Sequence, residues 1–242
     1  MKITTILFDL DGTLLPMDQD RFIKTYFGAL AKKLAPHGYE PKQLVSAIWQ
    51  GTAAMVKNNG EKLNKDVFFD TFRVYYGERA DTEQYLFDEF YEQDFDREVS
   101  VSCGYDPDSS WAIKQIKDMG FRVALATNPL FPSSATMSRI KWAGLDRNDF
   151  DLVTTYDNSR RCKPNLDYYR DILDTLGVSA EECLMVGNDV GEDMIAEQLG
   201  MRVFLLPRDL INKQGADISV YPSGDLSALV EYAKNLNKEE TL

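Results

Sequence analysis

The sequence predicts an α/β fold: a doubly wound parallel sheet, interrupted soon after its first strand by a bundle of helices. Three observations carry this reading. A short apolar strand near the N-terminus runs directly into Asp9-Leu10-Asp11-Gly12-Thr13. The stretch that follows shows helical periodicity and no convincing strand. From about Cys103 onward, helices alternate with short apolar strands, the repeated βα pattern of a parallel sheet covered on both faces.

The first strand is Ile6-Leu7-Phe8. Extended backbone points residues i and i+2 to the same side, so Asp9 and Asp11 face one small volume where the strand ends. There one carboxylate can attack while the other handles a proton. Gly12 lets the chain turn sharply away. Asp-Gly alone is an ordinary turn, whereas the full DxDGT pattern arises by chance in on the order of one chain in a few hundred of this length.

Residues 17–98 are expected to form an inserted helical cap, with 1–16 and 99–242 making the core domain. Phe22, Ile23, Tyr26, Phe27, Leu30 and Leu34 fall on one face of a helix ending near Pro36-His37-Gly38. Leu44, Ala47, Ile48 and Met55 mark a second helix, and Phe68, Phe69, Phe72, Tyr75 and Tyr76 a third that stops at Gly77. Tyr85, Leu86, Phe90 and Tyr91 mark a fourth, and four helices suit a small bundle. So many aromatics could face a ring-bearing ligand, but at helical spacing in so small a bundle they are assigned to core packing.

In the second part, Asp108 or Ser109 can cap a helix carrying Trp111, Ala112, Ile116 and Met119 and stopping at Gly120. A strand at 121–126 follows, then a helix at 134–142 closing at Gly144 and a strand at 152–155. Leu166, Tyr169, Ile172, Leu173 and Leu176 form the next helix, with Gly177 as its stop. Leu184-Met185-Val186 is a strand, 193–199 a helix ending at Gly200, and 203–206 a fifth strand. The charged tail from Lys234 to Leu242 is expected to fray.

Composition bounds the function. The chain has 242 residues, 44% hydrophobic and 27% charged, as a soluble globular protein does. The N-terminus enters a strand without the features of a secretory signal, so a cytoplasmic protein is expected. A net charge of −12 opposes nucleic acid and anionic membrane as partners. A negative protein still binds a small phosphate if local donors and a cation reverse the field at the site. Cys103, Cys162 and Cys183 are widely spaced and suggest neither disulfides nor a zinc site. His37, the single histidine, sits in a loop-like context with no GxSxG motif to complete a nucleophilic triad.

In a doubly wound sheet, ligands sit outside the carboxyl ends of the strands. Four polar clusters meet at that edge: Asp9/Asp11, Thr127-Asn128-Pro129, Cys162-Lys163-Pro164, and Gly187-Asn188-Asp189-Val190-Gly191-Glu192-Asp193. The Thr127 hydroxyl and the Asn128 backbone N–H are candidate donors to a phosphoryl oxygen, and Lys163 is a compact cation. The last cluster holds three acids in five residues, and such density destabilises itself unless a cation or solvent compensates. With Asp9 and a backbone carbonyl it can form an all-oxygen site suited to Mg²⁺. Glu192 and Asp193 alternatively serve as favourable charges at a helix N-terminus.

These clusters, in this order, resemble the motifs of the haloacid dehalogenase-like hydrolase superfamily: DxDGT first, then Thr127, Lys163, and the acidic pair Asp189 and Asp193. The resemblance spans most of a Rossmann-like core, and the cap position matches the subgroup with a helical insert after the first motif. One departure stands out. The fourth motif usually begins Gly-Asp, whereas this chain has Gly187-Asn188-Asp189, so Asn188 or Asp189 takes the first position. Asp189 is favoured, because its spacing to Asp193 is a family spacing and an acid suits a metal better than an amide.

The resemblance implies a Mg²⁺-dependent phosphatase in which Asp9 attacks phosphorus and Asp11 acts as acid, then base. Thr127, Asn128 and Lys163 would bind the phosphoryl group, and Asp9, Asp11, Asp189 and Asp193 would form the metal site. Family dehalogenases lack an acid at the position of Asp11. A small phosphorylated metabolite is the expected substrate, chosen by the cap. A phosphomutase would keep both aspartates, and a non-catalytic phosphate or metal sensor would use the same site without turnover.

Overall fold

The computed structural model describes residues 2–238. Five parallel strands, β1 (Thr5–Phe8), β2 (Arg122–Leu125), β3 (Leu152–Val153), β4 (Cys183–Gly187) and β5 (Arg202–Leu205), form one sheet in the order β3-β2-β1-β4-β5. This is the doubly wound, Rossmann-like arrangement the sequence predicts. β1 is central and buried throughout, as a strand flanked by parallel neighbours and covered on both faces must be. Phe8 lies level with Leu125 on one side and Val186 on the other. The loops after β1, β2 and β4 therefore leave the sheet side by side, where the strand order reverses.

The insert is helical: α1 (Gln19–Leu34), α2 (Pro41–Val56), α3 (Asn64–Tyr76), α4 (Arg79–Thr82), α5 (Gln84–Glu89) and α6 (Phe95–Val99). Asp18 caps α1 through the Arg21 N–H, and Pro41 opens α2 behind Glu40, whose carboxylate accepts from the Gln43 N–H. The expected fourth helix is broken. A π-helical segment, Phe90–Asp94, joins α5 to α6 and places Phe90, Tyr91 and Phe95 together in the aromatic interior.

The remaining helices are α7 (Pro107–Asp118), α8 (Ser133–Trp142), α9 (Leu166–Leu176) and α10 (Leu226–Asn235). α7 starts earlier than expected: Asp106 is its cap, accepting from the Asp108 N–H, with Pro107 at the first helical position. Ser109 instead donates its hydroxyl to the Leu14 carbonyl, 2.6 Å away. The 194–199 segment is a 3₁₀ helix rather than an α-helix, closed by i to i+3 bonds such as Ala196 N–H to Asp193 O. β3 stops at Val153, because beyond Thr154 the Thr155 N–H is taken by the Asn158 side chain.

α10 went unread in the sequence, although Leu226, Leu229, Val230 and Ala233 supply its buried face. The tail after it, expected to fray, stays docked through residue 238. Asn237 exchanges two 2.9 Å hydrogen bonds with the Ile3 backbone, and the rest of the tail, 239–242, lies outside the described residues. The three cysteines are free thiols and His37 is exposed. No helix among the described residues is long and apolar enough to cross a membrane.

Candidate active site

Asp9 continues the β1 ladder by one bond, its N–H donating to Val186 O at 2.9 Å. The chain then folds back on itself: Gly12 N–H donates to Leu15 O and Leu15 N–H to Leu10 O. Gly12 has φ +85°, and a Cβ there would run into the Asn188 side chain. Arg208 donates to the Thr13 carbonyl at 3.0 Å and pairs with Asp106, so the start of α7 braces this turn from outside.

Lys163 is 1% exposed, and its ammonium donates to Asp9 Oδ1 at 2.8 Å and to Asp193 Oδ1 at 2.6 Å. The other Asp193 oxygen accepts from the Asp189 N–H at 2.9 Å. Three sequence-distant motifs thus lock into one buried ionic cluster. Burial opposes the Lys163 charge, but the Asp193 and Asp9 carboxylates hold its pKa well above the usual lysine value. Burial pushes the Asp193 carboxyl up, with Lys163 opposing. Thr13 adds a hydroxyl 3.2 Å from Asp9 Oδ2 and 3.0 Å from Asn188 Oδ1.

Asp11 leaves this cluster and pairs with Arg139 of α8, itself 1% exposed. The second Asp11 oxygen is buried without a partner. Burial pushes the Asp11 carboxyl above the usual carboxylate range, Arg139 opposes this, and Asp9 adds to it. The guanidinium also sits over the Phe131 ring, 4.6 Å from its centroid, and reaches the Thr136 hydroxyl at 3.3 Å. Sequence reasoning missed Arg139. Its signal was a basic residue between Thr136 and Ile140 on the buried face of α8.

Thr127 and Asn128 line the same cavity as Asp9 and Asp11. The Thr127 carbonyl is fixed by the Thr154 hydroxyl at 2.7 Å and the Tyr168 hydroxyl at 2.9 Å. Asn128 donates its side-chain N–H to Glu192 at 2.9 Å. Glu192, expected as one of three clustered acids or as a favourable charge at a helix N-terminus, lines the cavity; burial and the nearby Asp189 push its carboxyl up, with Lys163 and Asn128 opposing. Lys163 lies behind Asp9 and Asp193 rather than on the cavity wall.

The four-acid metal set is not assembled as expected. Among the described residues, no three His, Cys, Asp or Glu side chains come together in an arrangement that could hold an ion. Three of the four have other partners: Asp9 has Lys163 and the Thr13 hydroxyl, Asp11 has Arg139, and Asp193 has Lys163 and the Asp189 N–H. Asp189 uses Oδ1 to cap the Gly191 and Glu192 N–H groups. Asn188 takes up the Thr13 hydroxyl and donates to the Asp209 carbonyl. Asp9 and Asp189 face the cavity together with Asp11, Glu192 and Asp193, and the Asn188 amide lies beside them. That donor chemistry fits Mg²⁺, which takes one or two carboxylates and keeps several waters.

The chain resembles known proteins along most of its length. The chain is 25% identical over 229 residues to a phosphoglycolate phosphatase of Aquifex aeolicus, covering 93% of this chain and 96% of that one. It is 25% identical over 203 residues to the pyrophosphatase PpaX of Halalkalibacterium halodurans, covering 84% and 82%. Among solved structures, a 2-haloacid dehalogenase of Pseudomonas syringae pv. Tomato shares the fold with a TM-score of 0.65 at 21% identity, over 96% of this chain and 99% of that one. A HAD phosphatase of Thermococcus onnurineus does so with a TM-score of 0.58 at 19% identity, over 98% and 100%. The family profile described as haloacid dehalogenase-like hydrolase matches residues 3–198, and this chain belongs to that family.

Proposed function

We propose that the protein is a phosphatase that removes phosphate from a small phosphorylated molecule through a covalent intermediate on Asp9. The observation that carries this reading is the separation of the two motif aspartates into different environments: Asp9 against Lys163, Asp11 against Arg139. Paired carboxyl groups held in distinct settings divide the roles of nucleophile and proton carrier. Asp11 also favours phosphate esters over haloacids, and relatives named as phosphatases support the same reaction.

Asp9 attacks phosphorus, its carboxylate oriented by Lys163 and the Thr13 hydroxyl. Asp11, its carboxyl raised by burial, donates a proton to the departing alkoxide. It then takes a proton from the water that hydrolyses the aspartyl-phosphate. Thr127 and Asn128 stabilise charge on the phosphoryl oxygens, and Lys163, behind Asp9, adds its positive charge to the field there. Five acids line this end of the cavity, Asp9, Asp11, Asp189, Glu192 and Asp193, so a phosphate dianion needs added positive charge there. Mg²⁺ held by Asp9 and Asp189 would supply it by neutralising charge on the transferring group.

The test is release of inorganic phosphate from an aryl phosphate, with and without Mg²⁺. Turnover is expected only with the metal and falls at least about a thousandfold in Asp9→Asn. Release without any sugar bisphosphate activator separates a phosphatase from a phosphomutase. No turnover of any ester in a broad panel would leave a phosphate-binding protein.

A further inference from the structure

The cavity that begins at Asp9 and Asp11 does not end there. It extends into the insert with a volume of about 400 Å³, within the range of pockets that enclose a small organic ligand. Its far wall is built from Phe22 and Tyr26 of α1, Trp49 of α2, Phe69 of α3, Tyr91 of the π-helical segment and Phe131 of the core. Most of these rings are buried against one another and also face the cavity, so core packing and ligand wall are the same surface.

The two tyrosine hydroxyls of this wall are paired with each other, while Gln19, Thr52 and Tyr156 add neutral polar groups to the lining. The Tyr26 and Tyr91 hydroxyls bond each other at 2.7 Å, leaving ring carbon toward the cavity. The Arg139 guanidinium covers the Phe131 ring from behind and is committed to Asp11. Among the described lining residues the single cation is Lys213, which is exposed. A second anionic group on the substrate would therefore meet hydrocarbon without a partner charge, which is unfavourable. A hydrophobic body would instead gain by leaving water.

On the phosphatase reading above, we propose that the substrate is a phosphate monoester of a hydrophobic alcohol or phenol, its apolar body seated among Phe22, Tyr26, Trp49 and Phe69. The P–O bond to the alcohol breaks as Asp9 bonds to phosphorus, and Asp11 gives its proton to the leaving oxygen. Water then releases phosphate from Asp9, returning a proton to Asp11. The products are the free hydrophobic alcohol and inorganic phosphate. Small doubly anionic esters such as phosphoglycolate, and pyrophosphate itself, are disfavoured by the wall.

The experiment measures kcat/KM with Mg²⁺ for n-alkyl phosphates from ethyl to octyl, 1-naphthyl phosphate, phosphoglycolate and pyrophosphate. A rise of about two- to fourfold per methylene is expected until the chain fills the cavity. 1-Naphthyl phosphate should exceed phosphoglycolate by at least tenfold. Trp49 is 46% exposed at the rim, so Trp49→Arg should fold. It is expected to lower the naphthyl ester's kcat/KM and to raise that of phosphoglycolate. A flat chain-length profile, or preference for phosphoglycolate or pyrophosphate in the unaltered protein, overturns the pocket assignment while leaving a phosphatase. If no ester turns over, the phosphatase reading fails, and tryptophan fluorescence with 1-naphthylmethylphosphonate decides the pocket. Binding at least tenfold tighter than methylphosphonate supports it, and equal affinity overturns it.

Discussion

Arg139 and Asp11, 128 positions apart in sequence, form an ion pair in which the arginine is almost wholly buried and one carboxylate oxygen stays without a partner. The pair ties α8 to the turn after β1. It holds the acid aimed at the cavity while leaving one of its oxygens uncommitted.

Replacing Arg139 should therefore shift the pH profile. Burial raises the Asp11 pKa and Arg139 lowers it, so Arg139→Met raises it further. The protonated acid then persists to higher pH, and the alkaline limb of kcat/KM moves upward. Arg139→Lys should restore part of the original position. An unchanged or lowered limb would separate Arg139 from the acid's titration.

Lys163→Met should cost stability as well as activity. It leaves the Asp9 and Asp193 carboxylates facing each other in the interior without a cation, a loss of about 3–5 kcal/mol. Urea denaturation at neutral pH measures it. Adding Asp193→Asn to Lys163→Met should recover part of the loss, because one uncompensated charge is gone. Absence of recovery would show that the two groups are not coupled.

At Gly12 two penalties coincide. The positive φ disfavours any side chain, and a Cβ collides with Asn188, which is held by Thr13 and Asp209. Gly12→Ala is expected to destabilise the fold by about 1–3 kcal/mol and to reduce turnover more than a hundredfold by displacing Asp11. Thermal unfolding and single-turnover kinetics separate the two effects.

The Tyr26–Tyr91 hydroxyl pair predicts an alkaline limit to stability. Burial pushes the Tyr26 pKa up to about 12, with the Tyr91 hydrogen bond opposing. Its folded value lies above the unfolded one, so the neutral form's contribution is complete below about pH 10 and is lost as pH rises toward the folded value. Denaturation midpoints between pH 9 and 12 should fall steeply, and less so in the Tyr26→Phe/Tyr91→Phe double variant. Equal slopes would remove the pair from this limit.

Much of the site was legible because its motifs are local strings. DxDGT after a strand, Thr127-Asn128, Lys163 and the acids of 187–193 each occupy a strand end or the loop beyond it, and parallel strands carry those ends to one edge. Arg139 was not legible in that way. A helix places a side chain on a buried face by periodicity, and nothing in the local string says which partner waits there. The break at 90–94 escaped for a similar reason, since Phe90, Tyr91 and Phe95 satisfy helical spacing across it.

By itself, the sequence determined the order of the strands, the family and the chemical types gathered at the carboxyl edge of the sheet, because these follow from short-range pattern and residue identity. Tertiary structure alone decided the partners. It set Lys163 between Asp9 and Asp193 and turned Asp11 to Arg139, and among the described residues it brings no three of the expected metal-binding acids together. It also opened the aromatic interior of the insert onto the site. Which carboxylate meets a buried cation, and which ring faces a cavity rather than another ring, depends on side chains distant in sequence packing into one volume.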